Sequence, residues 1–203
     1  LASLDDESKY LYCRYKIDLA DSTQFLKIVN SIQSEELKAR ALVEYSRRWY
    51  ALDEVGIASH YLQLLEGLTP SKERTLAEFY YLNCMLLADS NDWLELKNQI
   101  NTVSLLKKYY RNELNYWQAL LDEDEGRKEE AEKKYEHLSK ANMYFEEGVV
   151  RASTFFANDT TVDRLKSYSM LVEGLLVKPN SVKLLKAYIK EAAIIGFDDE
   201  AAE

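Results

Sequence analysis

Residues 39–72 have the sequence ARALVEYSRRWYALDEVGIASHYLQLLEGLTPSK, and this stretch decides the fold. Apolar and aromatic residues recur three or four positions apart on two successive segments, which is the spacing of one helix face. Small residues at Ser46 and Ala58 permit two helices to approach closely, and the large Trp49 fills the volume between them. Pro70 cannot donate an amide hydrogen to a continuing helix, so it marks a stop. The stretch therefore predicts a packed pair of helices.

The same pattern recurs along the chain. Predicted helices cover 4–20, 23–33, 35–52, 54–67, 71–88, 92–103, 105–122, 127–140, 143–157, 161–177 and 181–195, and a last one starts at 198. Alternate helices begin near 4, 35, 71, 105, 143 and 181, at intervals close to a period of roughly 34 residues. Ser34 and Asn91 stand where N-caps are expected, with acidic residues following them. A regular period of this kind predicts a helical repeat.

Two corners of similar sequence support the period. Residues 126–131 (GRKEEA) and 196–201 (GFDDEA) lie 70 residues apart, which is two periods of 35. On these corners, and on the pattern of 39–72, the chain resembles the tetratricopeptide family over nearly its whole length. The resemblance implies an all-α fold, a right-handed α-α superhelix (solenoid) of about five to six antiparallel helix pairs, with 1–203 as a single domain. A generic antiparallel helical bundle is the alternative architecture.

Composition narrows the classes of partner. The chain has 203 residues, of which 47% are hydrophobic and only eight are Gly or Pro, so it can bury a sizeable helical core. A formal net charge of −9 disfavours nucleic acids, whose phosphates are bound mainly through Lys and Arg. No apolar run approaches the length that spans a bilayer, so we expect no membrane insertion by this segment. Cytoplasm and bacterial cell envelope or periplasm both remain open as locations.

The inventory of chemical groups predicts no enzyme, no cofactor and no metal site. His60 and His137 are the only histidines, and neither has metal-ligand spacing or a neighbouring nucleophile. Cys13 and Cys84 are too few and too far apart for a disulfide framework, and we expect buried thiols. The acidic run 122–125 lacks the ligand spacing of a calcium loop and predicts a solvated helix end.

The tetratricopeptide resemblance implies a binding groove along the first helices of successive pairs. By register, the groove residues are Tyr10, Arg14, Val43, Arg47, Tyr50, Tyr81, Met85, Tyr116, Leu120, Val149, Ser153 and Phe156, followed by Lys186 and Lys190. Aromatic, Met and Arg side chains are the types that anchor protein interfaces. Members of this family that clamp a C-terminal carboxylate do so with Lys and Asn at fixed positions, and the corresponding positions here do not match.

The resemblance implies a non-catalytic scaffold or adaptor that binds a peptide or a partner domain on its concave face. Two alternatives are a sensory or regulatory segment of a larger regulator or sensor kinase, and a component of bacterial cell-envelope or secretion assembly. The chain begins at Leu1 rather than Met, and its last repeat is unfinished. We therefore expect a segment of a longer protein, with uncapped ends as candidates for self-association.

Overall fold

The computed structural model describes residues 4–138, 140–156 and 161–196, and these residues form twelve helices and no strand. The all-α prediction is confirmed for this part of the chain. One compact unit ends at Tyr110 and a second begins at Arg111. The sequence prediction of a single domain over 1–203 stays a prediction.

Seven helices form the first unit: α1 Asp6–Tyr15, α2 Ser22–Ser31, α3 Glu35–Tyr50, α4 Val55–Gln63, α5 Glu73–Asp89, α6 Trp93–Thr102 and α7 Ser104–Tyr109. Each of α1, α3 and α5 packs against the helix that follows it, and α3 also contacts both α1 and α5. We call α1, α3 and α5 the first helices of this unit. Aromatic rings fill the core between pairs: Phe25 stacks on Tyr45 at 3.6 Å, and both meet Tyr61 edge-on.

The second unit contains α8 Arg111–Asp124, α9 Lys128–Glu136, α10 Phe145–Phe156, α11 Thr161–Val177 and α12 Val182–Ile195. Here α8 packs on α9 and α10 packs on α11, while α10 also contacts α9 and α12. The fully buried ring of Trp117 belongs to its core. Gly148 of α10 packs closely against Leu138, and a Cβ at this position would require the Leu138 side chain to move. Contacts between consecutive helices in both units are consistent with a helical repeat.

Close approach within pairs occurs where small residues were predicted. Ser46 and Ala58 are fully buried, and the Ser46 hydroxyl donates a hydrogen bond of 2.5 Å to the Ala58 carbonyl. The residues at the same register in the next two pairs are also fully buried: Cys84 and Leu96, then Ala119 and Ala131. The packing positions therefore recur with the period of the sequence.

The corner after a first helix falls at a fixed place in this register. Asp53, Asn91 and Gly126 each follow the buried small residue of their helix by seven positions, and all three have positive φ, at 64°, 57° and 77°. Gly196, at 84°, ends α12 in the same way. Glycine adopts this conformation without strain, and Asn and Asp are the side chains that tolerate it best. The predicted corner at Gly126 is confirmed, and the structure adds two corners that glycine did not mark. Of the corner predicted at 196–201, Gly196 has the expected conformation and the remaining residues lie outside the described part of the chain.

A carboxylate link also recurs between successive first helices. An acid in the first turn of one helix accepts hydrogen bonds from the start of the next, 27 to 39 residues along the chain. Asp6 accepts from the Ser34 amide at 2.8 Å, and Glu36 accepts from the Lys72 amide at 2.9 Å. In the second unit, Glu146 accepts from the Ser181 hydroxyl. These links satisfy amide and hydroxyl donors at helix starts, which have no intrahelical acceptor.

The structure corrects several predicted helix bounds and one predicted cap. The helices predicted at 4–20, 54–67 and 127–140 end earlier, at Tyr15, Gln63 and Glu136. The helix predicted at 105–122 is broken, because Tyr110 takes a non-helical conformation (φ −133°, ψ 37°) in which its ring stacks on Tyr81 at 4.2 Å. Here a tertiary contact overrides local helix propensity. Ser34 caps α3 as predicted, but Asp92 rather than Asn91 caps α6, since Asn91 occupies the corner. The helix start predicted at 198 lies outside the described residues.

Candidate partner-binding face of the first unit

Six of the predicted groove residues are core residues. The structure buries Tyr10, Val43, Met85, Tyr116, Leu120 and Ser153, although Tyr10 and Ser153 also line cavities. Their role in binding a partner stays a prediction. Neighbouring side chains cover two of them directly. The Arg40 guanidinium lies 4.4 Å above the Tyr10 ring, and the Tyr144 ring stacks on Tyr116 at 4.3 Å. Burial also raises the pKa of the Tyr116 hydroxyl to about 12.

Four of the predicted residues lie on an accessible surface of the first unit. Arg14 on α1 is exposed, while Arg47, Tyr50 and Tyr81 on α3 and α5 are half-buried. We call this surface of α1, α3 and α5 the first-helix face. Polar contacts cross from helix to helix on this surface, linking Arg14 on α1 to α3 and linking Arg47 and Tyr50 on α3 to α5.

Ion pairs join the three first helices. Arg14 lies 3.5 Å from Glu44, which joins α1 to α3, and Arg47 lies 3.7 Å from Glu78, which joins α3 to α5. Glu44 raises the pKa of the Arg14 guanidinium, so Arg14 stays charged. These pairs are partly exposed, so solvent screens them and they contribute little to stability. They present alternating charge to solvent.

Tyrosines occupy the end of this face near α7. The Tyr50 hydroxyl donates a hydrogen bond of 2.6 Å to Asp89, and Tyr81 stacks on Tyr110. Burial and the Asp89 carboxylate raise the pKa of Tyr50, so its hydroxyl remains a donor. Tyrosine offers a large rigid apolar surface with a polar tip, a combination suited to contacting peptides.

A polar cavity of about 350 Å³ opens between α1, α3 and the start of α5. Its lining is Tyr10, Arg14, Glu36, Arg40, Glu44, Lys72, Arg74, Thr75 and Glu78. Of the predicted groove residues, Tyr10 and Arg14 line this cavity. Residues 36, 40 and 44 are four positions apart, so their charged side chains lie on one face of α3. This spacing could have identified the part of the cavity lining that α3 supplies.

The Tyr10 hydroxyl stands between two arginines of the cavity. Arg40 Nη2 donates to it at 3.1 Å and Arg14 Nη1 donates at 3.3 Å. Arg14 also faces Glu44, whereas no carboxylate of the described residues lies within 4 Å of the Arg40 guanidinium. Arg40 is therefore a cation that faces a cavity without a charge partner.

Among the predicted residues of the second unit, the structure brings Ser153 and Lys190 together in the lining of one cavity between α10, α11 and α12. Val149 lines a largely apolar cavity of about 500 Å³ between α9, α10 and α11. Phe156 lies under the Lys166 ammonium, 3.9 Å from its ring centroid. Lys186 and Lys190 are exposed on α12.

The two cysteines and two histidines do not form a reactive site with one another. Burial raises the pKa of Cys13 to about 11 and of Cys84 to about 12, which disfavours a reactive thiolate. His137 contacts the Lys133 carbonyl through Nδ1, and His60 packs edge-on against Tyr61. No group of three or more His, Cys, Asp or Glu that could hold a metal ion occurs within 4–138, 140–156 and 161–196.

No family model matches the sequence, and no curated protein matches it. Among the helices that the structure describes, none is both long and apolar enough to cross a membrane. Inference about function therefore starts from the surfaces of the chain itself.

Proposed function

We propose that the protein is a non-catalytic scaffold of the tetratricopeptide type that binds an extended peptide segment of a partner on the first-helix face of its first unit. The observation that carries the proposal is the set of exposed or half-buried Arg and Tyr side chains on α1, α3 and α5, together with the polar cavity that Arg14 lines. Arg and Tyr are enriched among the residues that dominate binding energy at interfaces.

The recurring features of the fold support the tetratricopeptide part of the proposal. Buried small residues, corners of positive φ and carboxylate links all repeat with the helix pairs. In such a repeat, the first helices of neighbouring pairs lie side by side and together form an extended concave surface. A right-handed superhelix of five to six pairs belongs to the same proposal.

A displayed library of random 12-residue peptides tests the function. The affinity of the selected peptides is then measured for the wild type and for the variants Tyr81→Ala and Arg47→Glu. Circular dichroism checks that each variant is folded. We expect about tenfold weaker binding or more for each variant, since each removes an interface anchor from the face.

Matched controls lie on second helices of the same unit. Leu94→Ala removes a side chain that is 81% exposed on α6, and Lys27→Glu reverses an exposed charge on α2. Both controls should bind the selected peptides as the wild type does. Equal binding by Tyr81→Ala, Arg47→Glu and the wild type would show that the first-helix face is not the binding surface.

A further inference from the structure

The cavity of the first unit has a charge pattern unlike the rest of the chain. The protein has a formal net charge of −9, yet the cavity lining has four basic side chains and three carboxylates. The basic set is Arg14, Arg40, Lys72 and Arg74, and the carboxylates are Glu36, Glu44 and Glu78. A locally positive concave surface concentrates anions from solution.

The carboxylates of the lining are already bonded within the protein. Glu36 accepts from the Lys72 amide and from the Thr75 hydroxyl at 2.6 Å, Glu44 faces Arg14, and Glu78 pairs with Arg74 at 3.1 Å. The side chains of Arg40 and Lys72, in contrast, have no carboxylate within 4 Å in the part of the chain that the structure describes. The positive charge available to a ligand is therefore that of Arg40 and Lys72.

The geometry of Arg40 suits an oxyanion. Its guanidinium is held over the Tyr10 ring and donates one hydrogen bond to the Tyr10 hydroxyl, while its other N–H groups have no acceptor among the described residues. A planar guanidinium with free N–H groups binds a carboxylate through two parallel hydrogen bonds. The ring contact and the hydrogen bond already restrain the Arg40 side chain, so less side-chain entropy is lost on binding.

We propose that this cavity binds the side-chain carboxylate of an Asp or Glu within the bound peptide, with Arg40 as its main partner and Lys72 as the second. The lining has one positive charge in excess, which a single carboxylate neutralises. A phosphorylated side chain carries about −1.5 to −2 and would leave the cavity negative beside three glutamates. The proposal rests on the proposed function, since it names the chemistry of the peptide that the first-helix face selects.

Three libraries of C-amidated octapeptides test the proposal on the full chain. Their central residue is Glu, Gln or phosphoserine, and the other positions are randomised over uncharged residues. Amidation removes the terminal carboxylate, so only the central side chain can supply a negative charge. We expect the Glu library to yield binders about tenfold tighter than the Gln library. Half-molar salt should weaken the Glu binders more than the Gln binders, because it screens the partly exposed pair.

Arg40→Gln should remove the preference for Glu over Gln, while Lys27→Gln on α2 should keep it. Lys72→Gln, at an exposed position, should lower the affinity for Glu peptides about threefold. This variant provides the test if Arg40→Gln does not fold. Equal affinity for Glu and Gln peptides, tighter binding of phosphoserine peptides, or an unchanged preference in Arg40→Gln would each overturn the proposal. If Tyr81→Ala still weakens all peptides in that case, the proposed function stands and only the carboxylate site fails.

Discussion

Asp122 is a charged residue that the fold buries, at 4% exposure, close to the end of α8. Its two carboxylate oxygens accept hydrogen bonds from Arg127 and from Lys134. One side chain of α8 is therefore bonded both to the N-cap residue of α9 and to a residue within α9. Burial alone would raise the pKa of Asp122, but the bonds from Lys134 and Arg127 outweigh it and lower the pKa below its ordinary 3.8. The sequence prediction of a solvated run at 122–125 is wrong for this residue.

Asp122→Asn should destabilise the chain by about 1 to 3 kcal/mol, because it removes charge-assisted hydrogen bonds from a buried acceptor. The folded carboxyl has the lower pKa, so its contribution is complete above about pH 3.8 and is lost as the pH falls through the folded value. The wild type should therefore lose stability more steeply than the variant below that pH. Urea unfolding followed by circular dichroism at pH 7 and at several acidic values measures both effects.

Asp124→Asn provides the matched control for this test. Asp124 belongs to the same acidic run and is exposed, so its replacement should change the free energy of unfolding by less than about 0.5 kcal/mol. Equal effects of the two substitutions would contradict a special role for the buried carboxylate.

At the scale of the element, helix starts are stabilised by residues one repeat earlier. Glu36 lies in the first turn of α3, is 9% exposed, and accepts hydrogen bonds from the backbone and a side chain at the start of α5. Lys72, the N-cap residue of α5, makes no side-chain cap bond of its own. The cap of α5 is thus supplied by α3, a tertiary contact that no local pattern in the sequence specifies.

Glu36→Gln should destabilise the protein by about 1 to 2 kcal/mol, since the amide keeps one acceptor and presents a donor to the second partner. Hydrogen exchange should rise first at the amides of the opening turn of α5. Glu66→Gln, at an exposed position after α4, should leave both the stability and the exchange unchanged. Slow exchange at the start of α5 in Glu36→Gln would mean that the cap of α5 does not depend on this carboxylate.

Sequence reasoning located the helices because the apolar period and the breakers are local signals. It missed the break at Tyr110, which depends on the distant Tyr81 ring, and it placed the end of the helix predicted at 127–140 too late. Asn142 forms a turn there, bonding both the Asn112 carbonyl and the Tyr144 amide.

The candidate site was predicted less well than the helices. Register alone gives the direction of a side chain but not what covers it. Tyr10 and Tyr116 are buried by Arg40 and Tyr144, which come from other turns of the chain. Arg40 itself was not among the predicted residues, since its lack of a carboxylate partner appears only when α1, α3 and α5 are assembled.

At the scale of the whole molecule, the division at Tyr110 and Arg111 predicts that residues 1–110 fold without the rest of the chain. The stacked core of Phe25, Tyr45 and Tyr61 lies inside that unit. We expect a 1–110 fragment to be helical and to unfold cooperatively in urea, because the contacts of its core are internal. A 1–92 fragment, which lacks α6 and α7 and so exposes the packing surface of α5, should lose that cooperativity. If 1–110 is unfolded while the full chain unfolds in one step, residues 1–203 are one cooperative domain, as the sequence alone predicted.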